Sequence, residues 1–308
     1  MEAHMMNTDG DIPLTHCGRH FSDQEIEQIQ NTVNMFPKLS RRELSETICE
    51  HLEWYTASGT LKWQACQNFL IKMEQAGAIK LPVKARNIQS KQTKLLIEFT
   101  ERTESRSDIV GTVGMLDEVT LEIVLDKESK KLWQEYMARY HYLGSTRPFG
   151  CYLRYFIKSS SEILGCALFS GAAKSIGERD RWIGWTENQR LRNLSWIINN
   201  TRFLIFPWVK VKNLASHVLG KFSRYIRQDW YEKWGYSPVL METFVDGNYY
   251  SGTCYKAANW KYLGMTTGEG LVRNGKSYKT SPKYIFAIPL AKNFRKTLCS
   301  KKSIGGEI

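Results

Sequence analysis

The strongest constraint on the fold is a strand–helix–strand run between residues 194 and 245. Residues 194–209 are mostly apolar and read as one long or broken strand around Asn199-Asn200-Thr201. The next segment, 213–230, places Leu214, Val218, Leu219, Phe222 and Ile226 on one helical face. Residues 239–245 then return as a strand. Two strands joined through such a helix pair in parallel by a right-handed crossover. Upstream, 119–125 alternates as a strand and Asp126 caps a helix over 127–140. Residues 151–158 and 163–170 form a hairpin across Ser159-Ser160-Ser161-Glu162. Residues 255–260 fit a short helix and 284–288 a final strand. The order β-α-β-β-β-α-β-α-β predicts a mixed sheet with helices on its faces, in an α+β chain.

The N-terminal part has a different pattern. Residues 1–20 read as a flexible leader, without the basic and apolar regions of a signal peptide. Ser22 with Glu25, and Ser40 with Glu43, are capping boxes that open helices over 22–35 and 40–54. A third helix spans 61–76, closed by Gly77, and 78–82 reads as a short strand. Three helices followed by a strand suggest a winged helix-turn-helix over 21–85, its third helix placed to enter a DNA groove. Lys62, Gln64, Gln67, Asn68 and Lys72 lie on that helix's polar face. Lys80, Lys84, Arg86, Lys91 and Lys94 would sit on or beside the wing. A small helical bundle with a solvated face is the other reading. Residues 86–116 read as a linker, 117–292 as the core domain and 293–308 as a basic tail.

Charge separates the two parts. The chain of 308 residues has a formal net charge of +12. Residues 1–116 hold 13 Lys and Arg against 15 Asp and Glu, and residues 117–308 hold 30 against 16. The excess points to an anionic partner for the C-terminal part. No run is long and apolar enough to cross a membrane. Seven cysteines, an odd number without paired spacing, fit reduced thiols and a cytoplasmic location. His16, Cys17 and His20 are better read as a polar tail than as metal ligands, and no CxxC pair supports zinc.

Candidate chemistry concentrates in three places. At 207–216, a helix N-terminus preceded by Lys210 and Lys212 offers free amides to an anion, with Asn213 in the N-cap position. At 241–268, Glu242 and Asp246 share a strand face but stand about 13 Å apart, too far for a two-metal centre. Asp246 ends its strand, either to project a carboxylate or to form a turn. At 179–190, Arg179, Arg181, Trp182, Trp185 and Arg190 interleave aromatics with cations, as nucleic-acid surfaces do; core packing of the tryptophans is the alternative. His141 and Tyr142 could face the same cleft. No P-loop, GxSxG, HExxH or deaminase signature is present. Glu128 and Lys130 belong to a solvated helix face.

Residues from about 118 to 270 resemble the DruA family of the Druantia anti-phage defence system. The likeness rests on HYLG at 141–144, RDRWIGW at 179–185, NNTRFLIFPWVKVKNLAS at 199–216, ETFVD at 242–246 and GTCYKAANWKYLG at 252–264. Residues 39–82 resemble that family's N-terminal module, while GEG at 268–270 departs from a GRG-like ending. The C-terminal block also resembles GNAT acyltransferases, specifically Mom-type phage DNA-modification enzymes. That resemblance implies a GNAT-like sheet with acetyl-CoA or another acyl-CoA as cofactor. Its pyrophosphate would lie on Asn213, Leu214, Ala215 and Ser216. Tyr142, Arg202 and Asp246 would line the acceptor or catalytic pocket, with Tyr255 as general acid. The expected role is a defence component that binds or acts on DNA, working with other system subunits such as a helicase. Two alternatives remain open: an acyl-CoA-dependent transferase acting on a nucleobase or protein amine, and a transposition-associated DNA-binding protein.

Overall fold

The computed structural model describes residues 14–56, 60–83, 97–145, 148, 150–268 and 281–300. They fall into two compact units, one before residue 88 and one after it.

The smaller unit opens with a minimal hairpin, β1 (Thr15–His16) and β2 (Arg19–His20), turned by Cys17 and Gly18 at positive φ. The described end of the expected leader is therefore folded. Both capping boxes form, opening α1 (Asp23–Met35) at Ser22 and α2 (Arg41–His51) at Ser40. Helix α3 (Trp63–Gln75) follows, with Gly77 in the left-handed conformation just beyond it. The core is aromatic: Phe21 stacks on Phe69 at 4.3 Å and meets Trp54 edge-on at 5.1 Å. The strand expected over 78–82 does not form. Side chains satisfy its backbone instead. Gln30 donates to the Ala78 carbonyl, Arg41 to that of Pro82, and Leu81 N–H donates to the Glu74 carboxylate. Lys84, Arg86, Lys91 and Lys94, expected beside a wing, lie outside the described residues.

The larger unit begins within the stretch expected as linker. A 3-10 turn at Glu101–Thr103 is held on the next helix, where Tyr136 and Tyr140 donate to the carbonyls of Arg102 and Thr103. Strand β3 (Ile109–Thr112) follows, then β4 (Val119–Ile123) and α4 (Lys127–Tyr140), capped by Asp126 as expected. The hairpin is β5 (Tyr152–Ser159) and β6 (Glu162–Gly171). Two helices with no counterpart in the sequence reading come next, α5 (Gly177–Ile183) and α6 (Glu187–Asn193). The long strand divides into β7 (Ile197–Ile205) and β8 (Val209–Lys212), the latter pairing in parallel with β3 in a separate ribbon. After α7 (Leu214–Trp234) come β9 (Leu240–Asp246), α8 (Thr253–Ala257), β10 (Lys261–Met265) and β11 (Lys283–Pro289). The described part of the expected basic tail contains α9 (Phe294–Leu298), whose Phe294 and Leu298 are buried.

The main sheet runs β10-β11-β9-β7-β6-β5-β4. It is antiparallel throughout except at β7 and β9, the parallel pair that the crossover helix requires. Helix α7 packs Leu214, Val218, Leu219, Phe222, Ile226 and Trp230 inward, and Phe222 meets Tyr155 and Phe169 at 5.0 and 4.7 Å. A second cluster gathers Ile183, Leu194, Ile197, Leu240, Ala287, Phe294 and Leu298.

Strands β6 and β7 approach so closely that a Cβ at Gly165 would lie 2.2 Å from the Leu204 carbonyl oxygen. Backbone cannot yield as a flexible side chain can. Gly165→Ala should therefore destabilise the protein by about 1–3 kcal/mol, read as a lower urea midpoint.

Candidate functional site

Strands β7 and β9 pair over only three residues, Ile197 to Asn199 against Leu240 to Glu242. Beyond that point the described ladders pair β7 with β6 and β9 with β11. A bulge marks the parting: Leu168 of β6 faces Arg202 and Phe169 faces Asn200, so Thr201 is the extra residue. Asn200 fills the gap. Its amide donates to the carbonyls of Leu168 and Arg202, at 3.2 and 3.0 Å, and its Oδ1 accepts from Tyr255 Oη at 2.9 Å. From β9, the Thr243 hydroxyl donates to the Asn200 carbonyl at 2.9 Å. A side chain thus takes the carbonyl of the residue just past the last parallel pair.

The wedge between the strands is a cavity of about 370 Å³. Its walls include Asn200, Thr201 and Phe203 of β7, Thr243 to Asp246 of β9, Ala215 of α7, and Tyr255 of α8. His141, Tyr142 and Tyr250 lie at its edge. The structure therefore brings Tyr142, Ala215, Asp246 and Tyr255 to one cavity. Gly252, which opens α8 at φ +72, has no room for a side chain: a Cβ would lie 2.5 Å from the Phe286 ring.

The titratable groups have distinct settings. Asp246 accepts from the Ser281 hydroxyl at 2.8 Å and from Asn248 N–H at 3.0 Å, and these bonds hold its carboxyl below the usual range. It is an ionised anchor. Burial raises the Tyr255 phenol, so it keeps its proton at neutral pH. Burial also raises Tyr142, and the Asp246 charge adds to this. Arg202 lies beside the cavity, donating to the carbonyls of Gly144 and Thr201, and burial lowers its pKa. Burial and then Arg202 lower His141 to about 4. His141 Nδ1 accepts from Leu143 N–H at 3.1 Å, which leaves Nε2 to carry the proton of the neutral ring.

The first turn of α7 differs from the sequence reading in one respect. Asn213 occupies the N-cap position at φ +65, and its side chain makes no capping bond. Asparagine tolerates this left-handed geometry, which turns its side chain away from the capping role. The Ser216 hydroxyl donates to the Asn213 carbonyl at 3.0 Å. The amides of Leu214, Ala215 and Ser216 thus have no side-chain cap from Asn213, and the helix presents its positive end. Lys210 pairs with Asp108 at 2.6 Å, while Lys212 is exposed.

Of the five residues singled out in 179–190, three are interior, which corrects the surface expected there. Arg179 is fully buried and bonds both oxygens of buried Glu242, at 3.0 and 3.2 Å. It also contacts Asp180 at 2.8 Å and donates to the Ala173 carbonyl at 2.7 Å. Trp185 and Arg190 are buried as well, Trp185 donating to Asp180 and Arg190 to the Lys174 carbonyl. Arg179, Trp185 and Arg190 cannot reach nucleic acid. Arg181 is exposed and pairs with Glu178, and Trp182 stacks on Phe294 at 5.3 Å. Thr186 and Gln189 form a capping box that begins α6, a legible signal for the unforeseen helix. In the smaller unit, Lys62 precedes α3 and Gln67 lies on it, both partly exposed. Among the described residues no three His, Cys, Asp or Glu come together to hold a metal, and no helix is long and apolar enough to cross a membrane.

A family model described as Druantia protein DruA matches residues 72–279, about two thirds of the chain. A search of curated proteins returns no match. Among solved structures, an acetyltransferase from Bacillus subtilis in complex with CoA is 8% identical, covering 56% of this chain and 100% of its own, at a TM-score of 0.32. A Drosophila melanogaster polyamine N-acetyltransferase is 9% identical over 56% of this chain and 100% of its own, at 0.35. The acetyltransferase yncA from Salmonella typhimurium, with acetyl-CoA, is 14% identical over 55% of this chain and 76% of its own, at 0.30. Scores at this level establish no shared fold.

The low proton affinity of His141 has a measurable consequence. An unfolded histidine titrates near 6.5, the folded one at about 4. Its stabilising contribution is complete above pH 6.5 and is lost as pH falls toward 4, because the unfolded chain binds the proton more readily. His141→Asn should flatten that part of the melting-temperature profile between pH 6.5 and 4.

Proposed function

The chain belongs to the DruA family, and on that premise we propose that its larger unit is a GNAT-like acyl-CoA-dependent transferase of an anti-phage defence system, with nucleic acid as its acceptor. The observation that carries this reading is the parting of β7 from β9 beside the open N-terminus of α7. Two parallel strands that separate leave strand edges facing a slot. An extended ligand rich in amides can lie there and pair as a strand would. At the helix end, uncapped amides and the helix dipole favour a phosphate-bearing group. An acyl-CoA combines both features, a pyrophosphate joined to a linear diamide arm.

The residues present fit that group. The amides of Leu214, Ala215 and Ser216 would hold its pyrophosphate, and the edge of β7 beyond the Thr201 bulge would receive its arm. Bound there, the thioester would supply an acyl carbon open to attack by an amine. Asp246 is ionised and anchors an amine or a base N–H at the cavity wall; with its pKa held low it orients better than it deprotonates. Tyr255 retains its proton and donates it in a hydrogen bond to Asn200, so its oxygen is the polar group held in a largely apolar wall. Tyr142 lines the same cavity, with Arg202 close to it.

The positive excess of residues 117–308 supports nucleic acid as the acceptor. Lys212 and Arg181, both exposed, remain available for phosphate contacts, in place of the buried arginines. Lys62, just before α3, and Gln67 on it are the contacts proposed for the smaller unit.

Acetyl-CoA at about 100 times its Kd should stabilise the protein by about 2.7 kcal/mol, a rise of several degrees in Tm. Ser216→Trp, which places a bulky ring at the helix end, should abolish the rise. No shift in the parent protein would count against acyl-CoA binding. Separately, affinity for DNA should fall steeply between about 50 and 200 mM salt through counterion release. A flat profile would count against nucleic acid as partner.

A further inference from the structure

We infer that Tyr142, Tyr249 and Tyr250 form a stacking platform for an unpaired base of single-stranded nucleic acid at the mouth of the cleft. The inference rests on the nucleic-acid part of the proposed function and adds the substrate form and the residues that receive it. Three neighbouring tyrosines are left in solvent there: Tyr142 is 38% exposed, Tyr249 63% and Tyr250 57%. Folding would ordinarily bury such rings, and a compact exposed cluster beside a cavity marks a contact surface.

The rings are ordered in series. His141 stacks on Tyr142 at 4.9 Å and 25°, and Tyr142 lies against Tyr249 at 4.7 Å and 36°. Tyr250 lies tilted beside them, 5.9 Å from Tyr142 and 6.4 Å from Tyr249. Tyr142 thus adjoins both the partly buried imidazole of His141 and the exposed Tyr249. The turn that carries the outer rings is fixed beforehand. The Asp246 carbonyl accepts from both Tyr249 N–H and Tyr250 N–H, at 3.1 and 3.0 Å, while the Asp246 carboxylate accepts from Asn248 N–H in the same turn. A ligand ring therefore meets a surface whose order is already established.

Two ligand types favour clustered tyrosines, a flat π-system and an ammonium group. Rings that bind an ammonium surround a gap. Here His141 and Tyr142 are stacked, Tyr249 lies tilted against Tyr142, and the exposed Tyr249 offers a further ring surface to another flat ring. The charge of residues 117–308 as a whole, 30 basic against 16 acidic residues, favours a polyanion, while beside Tyr142 the Asp246 carboxylate and the Arg202 guanidinium oppose one another. Stacking on a phenol ring tolerates every base, so the platform selects unpaired strands rather than a sequence.

The test is a polarisation titration of the full chain at fixed salt. Its three labelled probes are an oligothymidylate of about 15 nucleotides, an abasic strand of equal length, and a lysine-rich peptide. Replacing Tyr249→Ala and Tyr250→Ala together should weaken oligothymidylate binding about tenfold or more. Abasic binding should be unchanged, and the paired Phe replacements should retain full affinity. Ultraviolet crosslinking of the unaltered protein to the same oligonucleotide should map to residues 249–250, independently of any variant. Oligothymidylate binding that the Ala pair leaves intact, or crosslinks confined elsewhere, overturns the platform but leaves the nucleic-acid reading standing. Failure of both strands to bind overturns both. Peptide binding stronger than oligonucleotide binding, and lost in the Ala pair, identifies an ammonium site instead.

Discussion

The cleft depends on one side chain, Asn200. Without it, β7 and β9 would have every reason to continue pairing, since both run on for several residues past Asn199 and Glu242. Parting two strands exposes backbone donors and acceptors that must find other partners. The bulge at Thr201 breaks the ladder toward β6 as well. Asn200 absorbs both disruptions, bonding the Leu168 and Arg202 carbonyls with its amide and the Tyr255 hydroxyl with its oxygen. Thr243 closes the remaining gap from the β9 side. A carboxamide suits the position because one planar group provides two donors and an acceptor. The same bonds couple the strand split to α8, so the shape of the cavity and the direction of Tyr255 have a common origin.

A second buried constraint holds β9 before the split. Arg179 and Glu242 are both fully buried and bonded through two contacts, with Ala173 N–H donating to Glu242 at 2.9 Å. Burial raises the Glu242 carboxyl, and the Arg179 guanidinium opposes that rise. The short, multiply bonded geometry favours the charged pair. Such a pair contributes little net stability against an apolar alternative, yet losing one partner would cost about 3–5 kcal/mol. Its effect is directional: it ties α5 and the segment after β6 to the strand that carries Asp246. Arg179 therefore serves the site through Glu242 and β9, not by touching a ligand.

Local patterns were legible where the physics was local. The capping boxes at Ser22 and Ser40, the cap at Asp126, the β5–β6 hairpin and the apolar face of α7 each need only a few neighbouring residues. The overlooked helices α5 and α6 are seven residues each, too short for a clear apolar period, although Thr186 and Gln189 marked one of them. Residues 78–82 have the composition of a strand, but Gln30, Arg41 and Glu74 satisfy their backbone from the helices. Asn213 has the composition of an N-cap, but its backbone is left-handed. In both cases a local preference was overridden by the geometry around it.

By itself the sequence determined the crossover, and with it the parallel pair at the centre of a mixed sheet, because a helix of that length leaves two strands few other ways to join. It determined, too, that the positive charge lies after residue 116. It marked the polar interruption at Asn199-Asn200-Thr201 without indicating its purpose. Tertiary structure alone decided which arginines face solvent, since burial of Arg179 depends on Glu242, 63 residues away. It alone gathered Tyr142 with Tyr249 and Tyr250, and Asn200 with Tyr255. These are contacts between distant segments, fixed by how the strands part, and no periodicity along the chain encodes them.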